Sequence, residues 1–433
     1  MPFLANPRAS RVGLGPLVLA AALPLLFLHR QYQPSLTTRG VTLTLADLGL
    51  VAVVVAAIAA GLRGGFAPLR RAHAVWIALV LFAIWMFASL VWARHNDAGY
   101  ALGSHVVSSG KFLEFMLLAP AVPLILRRRD ERRLFFGAFV LWSTFLTVIA
   151  ILQFVGVVNE FEGRRPLQRE PSYVGVHELG AISGAALALA LVAIVVGRWR
   201  RFSLLALLAG GLGVALAAAL DSVGGMVAAA VTVWAVARAR ERVPLRRVAA
   251  LAVVVAAVGI AAVSLRGSAV TAFLEFLGVR AQDQNTQTHV QTYAHRTLLG
   301  YIGVKIWLDH PVVGAGWQES AQPAAFTPHL AAAHRRFPTE PAEAFPARAH
   351  EWGVQNGIIQ TLADLGVVGL GLLLAGLVAA FRLAVRAGSL VAPAWLWVAF
   401  AVFTGTGLLA GASVNVLLWL AVGLAVSVDR VPR

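Results

Sequence analysis

Arg348-Ala349-His350-Glu351-Trp352-Gly353-Val354-Gln355-Asn356 closes a polar stretch that begins near Arg266, and it leads directly into an apolar run from 355 to about 381. That change of character decides the fold, because the polar stretch interrupts a chain otherwise made of apolar runs. A helix that crosses a bilayer needs roughly 20 consecutive apolar residues. Twelve runs come near that length, at about 13–30, 41–62, 74–93, 104–126, 134–156, 176–197, 202–219, 222–237, 248–265, 355–381, 392–409 and 411–428. With 433 residues, 59% hydrophobic and only 13% charged, the composition excludes an ordinary soluble domain. The expectation is an all-α polytopic membrane protein with about 12 transmembrane helices and one long loop between spans nine and ten. It divides into spans one to nine (1–265), the loop with an amphipathic helix and a flap (266–354), and spans ten to twelve (355–433). The first run lacks a small-residue cleavage site and is read as a span rather than a signal peptide.

The formal charge of +16 would suggest nucleic acid in a soluble protein. Here the basic residues instead punctuate alternate loops: Arg63, Arg70 and Arg71; Arg127 to Arg129 with Arg132 and Arg133; Arg198, Arg200 and Arg201; Arg238 to Arg247; Arg382 and Arg386. The positive-inside rule places those loops, and both termini, in the cytoplasm. Anionic lipid headgroups, not nucleic acid, are then the partners of the charge. The absence of Cys excludes disulfides, thiolate metal sites and a Cys nucleophile.

Charges inside apolar runs are costly, about 2.5 kcal/mol even on lenient scales, so they normally face a partner or a wet cavity. Lys111 and Glu114 lie three apart on one face of span four. Asp47, Glu178, Asp221 and Asp364 all sit near the starts of inward-running spans, which suggests a polar cavity opening outward, although snorkelling at the interface would also explain the first three. Between spans five and six, Arg164, Arg165 and Arg169 break the inside rule. Guanidinium forks match phosphate oxygens, while Glu160, Glu162 and Glu170 offer these arginines a purely local alternative.

In the long loop, His289 to His310 reads as an amphipathic helix with Tyr293, Arg296 and Lys305 polar and Leu298, Leu299, Ile302, Ile306 and Trp307 as apolar anchors, suited to the headgroup plane. Pro323 to Pro346 reads as a lid or flexible flap. Six histidines stand in the loop without the His-x-x-His or His-x-x-x-His spacing of a metal site, so no metal is expected. Nor is there a Gly-x-x-x-x-Gly-Lys-Ser or Gly-x-Gly-x-x-Gly fingerprint for a nucleotide. A pocket of Arg and His above an apolar bundle suits a lipid-linked diphosphate. Its displacement needs cations for the leaving group and a base for the attacking hydroxyl.

Two local patterns support a resemblance. Arg296 followed by Lys305-Ile306-Trp307-Leu308-Asp309-His310-Pro311-Val312-Val313-Gly314-Ala315-Gly316, and Gln355-Asn356-Gly357 through Ala363-Asp364-Leu365-Gly366-Val367-Val368-Gly369, resemble the O-antigen ligase, O-antigen polymerase and protein O-oligosaccharyltransferase superfamily. The resemblance implies a metal-independent, cofactor-free, inverting glycosyltransferase at the outer face of the bacterial inner membrane. It would move a glycan from undecaprenyl diphosphate to an acceptor hydroxyl on a glycan, lipid or protein. It also implies that Arg296 holds the diphosphate, with Arg164, Arg165 and Arg169 as further candidates. The family's catalytic His falls on Gln355, and its second arginine falls on Val223 after Ser222. The base is therefore expected at His350, with Glu351 as the competitor, supported by Lys111, Glu114, Tyr293, Gln355, Asn356 and Asp364. A transporter or flippase of lipid-linked glycans and a non-catalytic glycan-binding relative are the alternatives.

Overall fold

A computed structural model describes residues 13–29, 32–38, 41–158, 166–198, 201–267, 271, 292–349, 352–407 and 412–427. The chain forms α1 (Leu14–Phe27), a hairpin of β1 (Ser35–Thr38) and β2 (Val41–Thr44), α2 (Leu45–Gly64), the single turn α3 (Ala67–Arg70), α4 (His73–Asn96), α5 (Leu102–Met116) and α6 (Leu118–Ile125). It continues through α7 (Arg129–Phe154), α8 (Val176–Val196), α9 (Arg201–Ala217), α10 (Leu220–Arg238) and α11 (Leu245–Ser264). After the polar stretch come α12 (Thr292–Asp309), α13 (Pro323–Arg336), α14 (Gly357–Ala387), α15 (Val391–Thr406) and α16 (Ala412–Val426). Eight helical stretches among the described residues are long and apolar enough to cross a membrane, and four shorter apolar helices accompany them. Together they coincide with the twelve runs read from the sequence, and the all-α polytopic architecture holds. The antiparallel hairpin, pairing Ser35 with Thr44 and Thr38 with Val41, is an addition that sequence reading did not anticipate.

Apolar composition all round a helix says that it is buried, but not whether in protein or lipid; packing separates the two cases. Described α16 side chains from Val414 to Val426 are buried throughout, and α8 is buried on nearly every side. Both are central helices. Only Leu251 and Ala262 are buried on α11, which therefore forms the rim. Close approach in the centre depends on small residues: a Cβ added to Gly210 of α9 would lie 2.5 Å from the Leu187 amide nitrogen of α8.

The helices alternate in direction, so one end of the bundle gathers the arginines. There the guanidinium groups bond carbonyls that helix ends leave unsatisfied. Arg127 donates to Ala60 and Gly65 at the end of α2, Arg247 to Val195 of α8, Arg240 to Gly388 after α14, and Arg132 to Ser427 after α16. The opposite end carries the starts of α8, α10 and α14 and the polar stretch.

That stretch is a small packed unit. Leu298, Leu299, Ile302 and Ile306 of α12 are buried against Phe326, Ala333, Phe337, Ala344 and Phe345. Four of the five residues expected to anchor in lipid therefore meet protein, and Trp307 stays partly exposed with its indole bonded to the Pro311 carbonyl. The segment expected to be a flap is largely helical: Pro323 occupies the first turn of α13, where the missing N–H costs nothing, and a 3-10 turn follows at Ala342–Ala344. The unit is pinned to the bundle by Trp317, fully buried, whose backbone N–H bonds Ser89 Oγ at 3.0 Å and whose indole bonds Ser108 Oγ at 3.0 Å.

Candidate functional site

The two sequence patterns meet in space. α14 is broken at Gly366, whose φ of 67° is left-handed, and the Pro311 to Gly316 turn fills the break. Ala315 N–H bonds Ala363 O and Gly316 N–H bonds Asp364 O, each at 2.8 Å, while Val367 N–H bonds Pro311 O at 3.0 Å. Trp85 Nε1 satisfies the Leu365 carbonyl at 2.9 Å. Gly314 (φ 76°) is required here, since any Cβ on it would strike the Asp364 backbone. Asp364 itself is fully buried and accepts from the Ser320 N–H at 2.9 Å, so it clamps the turn to α14.

This docking lays α12 across the starts of other helices. One face of α12, through Arg296, Thr297, Gly300, Tyr301 and Val304, lines a cavity of about 900 Å³. The far walls are Arg336 to Thr339 from the end of α13, Gln355, Asn356 and Ile359 at the start of α14, and Gly405 at the end of α15. Arg296 stands where three helix N-termini converge. Its Nε donates to Gln355 Oε1 at 3.2 Å, its Nη1 to Gly405 O at 2.8 Å, and its Nη2 lies 2.9 Å from His177 Nε2. On the other side of that ring, His177 Nδ1 lies 2.8 Å from Asp221 Oδ2. The Ser222 N–H holds the second Asp221 oxygen at 2.7 Å.

Donor chemistry fixes the roles along this chain. A guanidinium has no lone pair to offer, so His177 Nε2 must be the acceptor, and the ring proton sits on Nδ1 facing Asp221. The result is a line from Asp221 on α10 through His177 on α8 to Arg296 on α12. Positive helix ends and a guanidinium favour an anion in the adjoining space. His295, next to Arg296, bonds the Ala344 backbone and packs edge-on against Trp352. Burial holds its pKa below the usual histidine value, and the Arg296 charge adds to that, against the Ala344 hydrogen bond.

Among the expected residues, Arg296, Gln355 and Asn356 line the cavity. Gln355, in the register of the family's base, is a hydrogen-bond acceptor for Arg296, and Asn356 caps α14 by accepting from the Ile358 and Ile359 N–H groups. Lys111 bridges Asp47 at 2.7 Å and Glu114 at 3.1 Å, tying α5 to α2, and none of the three is among the cavity residues. Arg169 stands in the loop before α8 and is not among them either. Val223 packs toward α11 at Gly259. His350, Glu351, Arg164, Arg165 and the side chain of Tyr293 lie outside the described residues. Sequence reasoning missed His177 and Arg336. His177 adjoins the noted Glu178 but carries no spacing signal of its own, and Arg336 sits in the segment taken for a flap.

Fold and site define a polytopic helical membrane protein with an arginine-lined cavity where the starts of several apolar helices meet. Residues 214–374 match the O-antigen ligase family, which supports the resemblance to the O-antigen ligase superfamily read from the sequence. The matched stretch holds Asp221, Arg296, Gln355 and Asp364. No curated protein matches the chain.

Proposed function

We propose that this protein transfers a glycan from a polyprenyl diphosphate, undecaprenyl diphosphate in a bacterium, to an acceptor hydroxyl at the outer face of the inner membrane. The observation that carries the reading is the cavity of about 900 Å³ with Arg296, itself in the stretch that matches the family, at the meeting point of the α8, α10 and α14 starts. Arg296 would take one phosphate of the donor, and Arg336, on the opposite wall, would supply the second guanidinium where the family's arginine register holds Val223. The charge that grows on the diphosphate as the glycosidic carbon is attacked is what these cations stabilise. The apolar bundle beneath suits the isoprenoid tail, and basic loops on the far side agree with a cytoplasmic position for that end. Acceptor attack opposite the leaving group inverts the anomeric centre.

The test is reconstitution in lipid with undecaprenyl diphosphate glycan and candidate acceptors, following product by mass spectrometry. Transfer that depends on both substrates is expected. Movement of donor between leaflets with no product would overturn the reading in favour of a flippase. Donor binding with neither activity would leave a binding protein.

A further inference from the structure

We propose that His177, oriented by Asp221, is the general base that deprotonates the acceptor hydroxyl, with Arg296 covering its lone pair until the donor binds. The proposal rests on the glycosyltransferase reading above and names the group that reading leaves open, since Gln355 occupies the family's base register and has no proton affinity at working pH.

Geometry supports it from three directions. The hydrogen bond from Nδ1 to Asp221 at 2.8 Å sets the tautomer that points a basic lone pair outward from Nε2. Nε2 lies 2.9 Å from Nη2 of Arg296; His177 is not itself among the residues that line the cavity, and Arg296, which is, stands between that lone pair and the cavity, so a shift of the guanidinium toward a donor phosphate would open the path between them. The ring is also partly accessible, its side chain 19% exposed, whereas Asp221 behind it is 9% exposed. A diphosphate oxygen is a stronger acceptor of guanidinium N–H groups than a neutral imidazole is. Donor binding therefore draws Nη2 to phosphate and uncovers Nε2 for the acceptor. In the transfer step Nε2 takes the proton of the acceptor O–H, and the acceptor oxygen forms the new bond to the anomeric carbon. The bond from that carbon to the phosphate oxygen breaks, and its electron pair leaves with the diphosphate beside Arg296. Asp221 stabilises the imidazolium, which then releases its proton to water.

A structural clamp made of the same three residues would tie α8, α10 and α12 together without chemistry, and the experiment separates the two roles. Wild type, His177→Gln and His177→Gly are reconstituted, and kcat, KM for the donor and retention of undecaprenyl diphosphate are measured with and without added imidazole. His177→Gln should lower kcat on the order of 10²-fold or more with little change in donor KM, and imidazole should restore turnover to His177→Gly. Turnover by His177→Gln close to wild type would overturn the proposal. Loss of donor retention with no imidazole rescue would overturn it too, in favour of the clamp. An inactive wild type would instead remove the transferase reading on which it stands.

Discussion

Glu319 shows how much a single residue of the docked unit can reveal about its surroundings. It is 3% exposed, and burial, with Asp97 and Asp364 nearby, pushes its pKa from 4.5 up to about 8. A raised carboxyl is protonated in the folded state, so its favourable contribution is complete below the unfolded value and is lost as pH rises through about 8. The apparent Tm of the detergent-solubilised protein should therefore fall as pH is raised from about 5 to about 9, and Glu319→Gln should flatten that fall. An equally steep fall in the variant would contradict it. At this scale Arg296 was legible in the sequence, because its type, its place on an amphipathic face and the Asp-His-Pro turn after it form one pattern. His177 was not, because the geometry that distinguishes it comes from α10 and α12, 44 and 119 residues away.

At the scale of elements, the central event is the insertion of the Pro311 to Gly316 turn into the break of α14. Gly366→Ala would put a Cβ against the Val312 carbonyl at φ 67° and ψ −171°, a region essentially reserved for Gly that costs an L-residue about 1–3 kcal/mol before any clash. The variant should melt at lower temperature and expose the polar stretch to limited proteolysis, while a Tm equal to wild type would show that the break is not needed. The helices were readable from hydropathy because the bilayer requires uniform apolar runs. The segment from Pro323 to Pro346 was misjudged because its prolines and histidines resemble loop composition. Its order comes instead from Phe326, Phe337 and Phe345 packing on Leu298, Ile302 and Ile306, a tertiary effect that local composition does not carry.

Across the whole molecule, the arginine end and the cavity end lie at opposite ends of the helices. The topology rule foresaw the first, and the structure adds that Arg127, Arg132, Arg240 and Arg247 bond helix-end carbonyls. Because the chain has no Cys, single-Cys variants test the orientation without a background. Thr339→Cys in intact spheroplasts should react with an impermeant maleimide, and Glu241→Cys should react only after permeabilisation; the reverse pattern would invert the topology. The cavity's role is tested most directly by initial rates of glycan transfer in proteoliposomes for wild type, Arg296→Lys and Arg296→Ala across a donor titration. Arg296→Ala should lower kcat/KM on the order of 10²–10³-fold, and Arg296→Lys should recover only part of it for want of a bidentate fork. A folded Arg296→Ala that transfers glycan at the wild-type rate would contradict the assignment of this cavity as the site of transfer.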